Sequence, residues 1–413
     1  MTSPASRSWQ WALGVQAALG QASWQGTRLM VAYAALEATG SPAFVGLVAA
    51  VFALSGFVVS IPSGRLIDRY GSARVALIAT LVCLAGIGAA FAVPPIVGML
   101  LVAVVIGAAH IYVIVAQQGF VARAASGNLD SAFGTQTAAV SIGQLIGPPV
   151  VTIVAAAAGA SATRPNTGVG LIVCAALLVL ALPTYFGLRP VERRLPPPRA
   201  AEQRAAKLID ILRVPGMMRA LLVGAAVLVT VDLLAAFTPV WAVAQDIPAA
   251  AVGWLLALRA LFTISSRFGV SRLVRRYGRK ILLLLAISLA ALAIALLPLA
   301  NAWWAIPVMA MIGLGLGLPQ PLTLAWMSAL APPHARGAVF GARMTVNRLA
   351  QVGLPLMVAY LAGPISVLAV FWTTAAILVS SAVVVATTNA HVLNENASTD
   401  DVDRDAASPD GSS

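Results

Sequence analysis

Asp232 is the single acidic residue near the middle of a long apolar run, the segment 217–243. Ionisable groups at membrane depth cost several kcal/mol unless they are paired or hydrated. A carboxylate there is therefore a candidate proton carrier, its proton affinity set by burial and by any neighbouring arginine. Arg28, Arg259, Arg267, Arg343 and Arg348 also fall inside apolar runs. Arg267 and Arg343 lie near run ends, where a long side chain can snorkel to water, whereas Arg28, Arg259 and Arg348 lie deeper. Three deep cations against one clear acid leave a positive surplus after pairing. Such a site favours a substrate bearing a carboxylate or phosphate over a lipophilic cation. Glu37, near the outer end of the first run, is a second candidate for proton traffic.

Helical spacing groups these residues further. Gln21, Gln25 and Arg28 recur at i, i+4 and i+7, one polar stripe on a helix. Thr137, Ser141 and Gln144 form a similar stripe, and so do Met344, Arg348 and Gln351. His110 is the only one of the three histidines at membrane depth; it is either a packed structural residue or a proton-transfer group. Cys83 and Cys174 both lie within apolar runs and suit packing rather than a disulfide framework or a metal site. Catalytic His–Asp or Ser–His clusters and a phosphate-cradling glycine loop with its lysine are both missing, so neither an enzyme nor an ATP-driven pump is expected, and no cofactor or metal.

These groups need a scaffold that holds them in lipid. Of the 413 residues 60% are hydrophobic and only 10% charged, more apolar surface than a water-soluble chain of this length could hide. Mean hydropathy is +0.91. Apolar stretches recur at 9–35, 43–63, 75–93, 95–118, 131–158, 166–188, 217–243, 250–270, 281–298, 302–330, 338–362 and 366–388. Each approaches the roughly 20 residues an α-helix needs to cross a bilayer, which predicts an all-α integral membrane protein of about twelve transmembrane helices. The first stretch lacks a signal-type cleavage site and is read as a retained helix. Trp9, Trp11, Trp241, Trp303 and Trp304 near run ends suggest interfacial aromatic belts.

A net charge of +12 would fit nucleic acid, but its placement argues otherwise. The loop cations sit in alternate loops: Arg7, then Arg65, Arg69 and Arg74, then Arg123, the run from Arg189 to Arg219, the run from Arg272 to Lys280, Arg336 and Arg404. The opposite loops hold Arg164 alone. This is the positive-inside bias, so both termini are expected in the cytoplasm, with the protein in a bacterial-type inner membrane and its basic surface on anionic lipid headgroups. No nucleic-acid partner is expected, and the chain is read as a monomer.

An offset of 207 residues superimposes the two halves of the sequence without a gap at separated places. Val45-Gly46 falls on Val252-Gly253, Arg69-Tyr70-Gly71 on Arg276-Tyr277-Gly278, Phe133-Gly134 on Phe340-Gly341, Gln144 on Gln351 and Pro148 on Pro355. The same offset places Gln25 on Asp232 and Ser141 on Arg348. The expected organisation is a six-helix half over 1–188, a cytoplasmic linker over 189–216, a second six-helix half over 217–388 and a disordered acidic tail over 389–413. The linker carries Pro196-Pro197-Pro198, and Ala200 to Arg213 could form a short amphipathic helix.

Between the second and third runs, Gly64 to Gly71 (GRLIDRYG) reads G-x-x-x-D-R-x-G, with Asp68 and Arg69 as its charges; SRLVRRYGRK from Ser271 is its second-half counterpart, with Arg276 and Gly278. In the fifth run Gly134, Gly143, Gly147 and Pro148 read G-x8-G-x3-G-P, where glycines permit close helix packing and proline a bend. Duplicated halves carrying these motifs resemble the major facilitator superfamily, and the second motif is similar to that of its drug and metabolite exporters. The family pattern continues with two further glycines, where this chain has Val151 and Thr152. An arginine frequent in the fourth helix of such exporters is Ala103 if Gly107 is the motif glycine, which puts their proton-transfer scheme in doubt; His110 is the nearest substitute.

The resemblance implies two parallel halves with a substrate site near the midplane, lined by the first, fourth, seventh and tenth helices. It implies a charge latch between the halves at the G-x-x-x-D-R-x-G loop, strongest through Asp68 because the second half has Arg275 there. The reading reached is proton-coupled export, by alternating access, of a small anionic or zwitterionic molecule, amphiphilic ones included. Uptake of an anionic metabolite and a transport-inactive sensor are the alternatives.

Overall fold

Lipid offers no hydrogen bonds to a backbone, so an apolar chain of this kind must close its amide bonds within helices. The computed structural model describes residues 4–125, 129–195, 212–330, 336–362 and 367–389, and they are almost entirely helical. The first half contains α1 (Pro4–Thr39), α2 (Pro42–Tyr70), α3 (Ser72–Ala90), α4 (Pro95–Ala124), α5 (Leu129–Ala157) and α6 (Thr167–Glu192). The second contains α7 (Met217–Ala244), α8 (Ala249–Ser265), the short α9 (Val270–Tyr277), α10 (Arg279–Leu296), α11 (Ala305–Gly317), α12 (Pro319–Leu330), α13 (Arg336–Ala362) and α14 (Val367–Ala386). The central part of the linker, 196–211 with its amphipathic stretch, and the acidic tail from 390 lie outside the described residues, as do His334 and His391.

The twelve expected crossings are present, with local differences. Among the described residues nine stretches are long and apolar enough to span a membrane by length and composition alone. The glutamines and Arg28 dilute α1, three arginines dilute α13, and α8 has only 17 residues before a cluster of turns. The tenth crossing is divided between α11 and α12 at Leu318, next to Pro319. Large side chains such as Leu180, Phe186, Leu285 and Val379 are exposed on the helix exteriors, as a lipid-facing surface requires. Trp11, Trp303 and Trp304 are exposed, but Trp9 and Trp241 are buried core residues rather than belt members.

Packing repeats between the halves. The pairs α1–α6, α2–α4, α3–α4 and α3–α6 recur as α7–α14, α8–α11, α10–α11 and α10–α14. The halves meet through α5 against α8, α2 against α13 and α1 against α7. At the α5–α8 crossing a Cβ on Gly253 would run into the Pro148–Pro149 backbone and the Thr152 hydroxyl, so only glycine permits that approach. Beside it the Ala249 amide donates to the Ala162 carbonyl at 2.8 Å, tying the loop before α8 to the loop before α6.

The segment expected as a loop between α2 and α3 is largely helix. Gly64 to Tyr70 continues α2, and the chain reverses only at Gly71, with φ +88°. Gly278, its repeat counterpart, has φ +77° and the same role before α10. At both turns the positive φ explains the glycine, as it also does at Gly40, Gly216 and Gly269.

Candidate functional site

Near the middle of the helix bundle the α1 face carrying Gln21, Trp24 and Arg28 turns towards α7 and α13. Arg28 Nη1 lies 2.7 Å from Asp232 Oδ1, an ion pair that joins the two halves. Arg28 Nη2 also donates to the Asp232 carbonyl at 3.4 Å. The other carboxylate oxygen, Oδ2, accepts from Gln351 Nε2 at 2.6 Å, and Gln351 Oε1 accepts from Arg348 Nη1 at 3.1 Å. Trp24 stacks on His110 of α4, ring centroids 4.0 Å apart and planes 3° from parallel, and the Arg28 guanidinium lies 5.6 Å from the Trp24 ring. A continuous series of contacts therefore runs from α4 through α1 and α7 to α13.

The ion pair borders a cavity of about 470 Å³ between the halves. Its wall descends from Asp232 and His110 past Gln117 and Gln118 at the end of α4 and Gln136 at the start of α5, towards the face where α1 begins. On the opposite face the halves are joined at Gly253 and Ala249, as described above. With Arg28 and Arg348 in the wall against Asp232, the cavity carries net positive charge. Arg259 stands outside the wall, buried at 6% exposure; its Nε lacks a hydrogen-bond partner, although its charge is near enough to interact with that of Asp232.

Most of the deep polar residues expected from the sequence thus converge: Asp232, Arg28, Arg348, Gln351 and His110 all face one cavity. Gln25 does not; the face that α1 presents runs 21–24–28, and Gln25 points away from the wall although its repeat partner is Asp232. Arg259 is likewise off the wall. Ser141 bonds back to the Thr137 carbonyl, so it does not share the orientation of Arg348. Glu37 is exposed at the far end of α1. Trp24 is detectable through its i+3 spacing from Gln21 and Gln144 through its stripe, whereas Gln117, Gln118 and Gln136 give no signal beyond ordinary polarity.

Of the gating motif, Asp68 is exposed and makes no ion pair among the described residues, while Arg69 and Arg276 lie against their neighbours Tyr70 and Tyr277 at 5.2 and 5.3 Å. The latch through Asp68 is therefore not made in this state. Gly64 has open space around it. The ion pair found beside this turn is instead Arg123–Glu192, at 2.6 Å. Glu192 Oε2 also accepts from the Ala73 amide at 2.8 Å, capping the start of α3 where the helix dipole favours an anion.

The fifth-helix motif is used for packing. A Cβ on Gly143 or Gly147 would strike the α1 backbone at Ala18 or Ala22, while Gly134 faces open space and Pro148 lies at the α5–α8 crossing. Cys83 and Cys174 are free and buried, and no group of three or more potential metal ligands occurs among the described residues.

No curated protein matches the sequence. Among solved structures, the nucleoside transporter NupG superposes with a TM-score of 0.71 at 15% identity, covering 92% of this chain and 98% of its own. A peptide transporter POT in complex with sulfate gives 0.73 at 16% identity, covering 94% and 95%. A POT family transporter in complex with 5-aminolevulinic acid gives 0.72 at 14%, covering 93% and 96%. At these identities the likeness is one of fold. The sequence profile of the Major Facilitator Superfamily, however, matches residues 13–355 and 246–404. Matched over most of its length, and folded as two repeated six-helix halves around a central cavity, the chain belongs to the Major Facilitator Superfamily.

Proposed function

We propose that this protein is a secondary transporter that alternates access by rocking residues 1–188 against 217–388, and that it couples a small anionic or zwitterionic substrate to protons through Asp232. The observation that carries the reading is the Arg28–Asp232 pair, which bridges the halves at the head of a cavity reaching one face. An incoming carboxylate or phosphate competes with Asp232 for Arg28. Once Arg28 is taken, Asp232 is left without its counter-ion, and a proton taken up from the cavity neutralises it in place of the arginine. Substrate and proton then bind together, which is the linkage of co-transport. The paired state and the doubly loaded state both neutralise Arg28, so both can close; a half-loaded carrier leaves a charge uncompensated. With the positively biased loops in the cytoplasm, the cavity reaches the cytoplasmic face and both termini lie there.

Proton antiport with export is the second reading, favoured by the glycine run of α5. Purified protein in pyranine-loaded liposomes separates the two. Adding an organic anion outside acidifies the lumen under co-transport and alkalinises it under exchange. A dye response unchanged in Asp232→Asn would remove Asp232 from the coupling, and substrate binding without any flux would favour a sensor.

A further inference from the structure

The cavity wall takes seven of the chain's 12 glutamines, and it holds one carboxylate and no lysine. Three of those amides are engaged by the protein: Gln351 with Asp232 and Arg348, Gln320 with Arg267, and Gln117 with Gln16. The other four, Gln21, Gln118, Gln136 and Gln144, have no hydrogen-bond partner among the described residues. Gln21 and Gln136 are only 9% and 7% exposed. Their amide groups are open to the cavity rather than sealed within the protein, so their donor and acceptor capacity is left for water or a ligand held there. Here they come from α1, α4 and α5 and face one space beside two guanidinium groups.

We infer that the substrate is a hydrophilic organic anion bearing several hydroxyl or amide groups, rather than a lipophilic or amphiphilic acid; this rests on the proposed function above and specifies its substrate. The arginines take the acidic group. The amides, each able to donate and accept at once, replace the waters of neutral polar substituents. A lipophilic acid would make the same contact with Arg28 and displace water from the glutamines without returning its hydrogen bonds, a trade that loses affinity. The cavity, at about 470 Å³, lies within the size range of small-molecule sites, which is about 300–1,000 Å³.

The test is ligand-induced thermal stabilisation of the purified full-length protein by matched acids: gluconate against hexanoate, glycerate against propionate, tartrate against succinate. The hydroxylated member of each pair is expected to stabilise more, with an apparent affinity at least tenfold tighter. Gln21→Leu and Gln136→Leu should each narrow that gap by about tenfold, the worth of one hydrogen bond, without lowering the melting temperature of the unliganded protein. Equal or stronger stabilisation by the deoxy acids, or none from any hydroxylated acid, overturns the inference. A hydroxyl preference in a protein with no proton flux would defeat the coupling proposal alone. Flux with a preference for the deoxy acids would defeat this one alone.

Discussion

Asp232 divides its two oxygens between the halves: Oδ1 holds Arg28 of α1 and Oδ2 holds Gln351 of α13. Replacing it by asparagine keeps the shape and removes the charge, leaving Arg28 and Arg348 without their shared counter-ion. Asp232→Asn should lower stability by about 1–3 kcal/mol, less than for a fully buried pair because both side chains retain some exposure. It should also abolish gradient-driven accumulation in liposomes. Arg28→Gln with Asp232→Asn should be more stable than either single variant, and additive losses in thermal melts would show that the pair is not coupled. Trp24 belongs to the same scale, held between His110 and Arg28. Trp24→Ala should weaken organic-anion binding by up to about tenfold while Trp24→Phe retains most of it, since the ring face orients the guanidinium. Titration calorimetry with gluconate would compare them.

At the scale of elements the glycines are contact points between helices. Gly143 and Gly147 let α5 lie against α1 within the first half, and Gly253 lets α8 lie against α5 across the halves. Under the proposed rocking these positions differ in consequence: the first contact persists whereas the second must part. Gly253→Leu should therefore hold the far face ajar at a cost of about 1–3 kcal/mol for overpacking. A cysteine introduced as Ala249→Cys reports on it, since Ala249 is fully buried in this contact and the native Cys83 and Cys174 are buried. Labelling by a membrane-impermeant maleimide should be slow with Gly253 and fast with Gly253→Leu, and equal rates would remove Gly253 from the closure. The Glu192 cap shows a related division of labour: the turn at Gly71 is braced within its own half, leaving Asp68 exposed on the face towards which the cavity extends.

Over the whole molecule, one face is joined through α5–α8 and the Ala162–Ala249 hydrogen bond while the cavity extends towards the other. A carrier that works by rocking must break the first contact on every cycle. Oxidative cross-linking of Ala162→Cys to Ala249→Cys should stop flux in liposomes and restore it on reduction, yet leave gluconate binding from the cavity side within about threefold. Flux that survives complete cross-linking would be incompatible with rocking about this contact.

The crossings, the duplication by 207 residues and the residues buried at mid-membrane are legible in the chain itself, for a direct reason. Lipid penalises a lone charge or an unpaired backbone so heavily that Arg28, Asp232 and Arg348 had to face protein or water, and one another. Neutral amides carry a smaller penalty and can be satisfied in many places, so Gln117, Gln118 and Gln136 stood out only once folding had gathered them on one wall. Helical periodicity also leaves a facing direction uncertain by about one residue, which is why Trp24 rather than Gln25 meets the cavity and why Arg259 lies behind it. Rotation of one helix against another, and of one half against the other, is set by contacts between residues far apart in sequence. Those contacts alone placed Glu192 at the α2–α3 turn, left the Asp68 latch unmade and brought Arg28 onto Asp232.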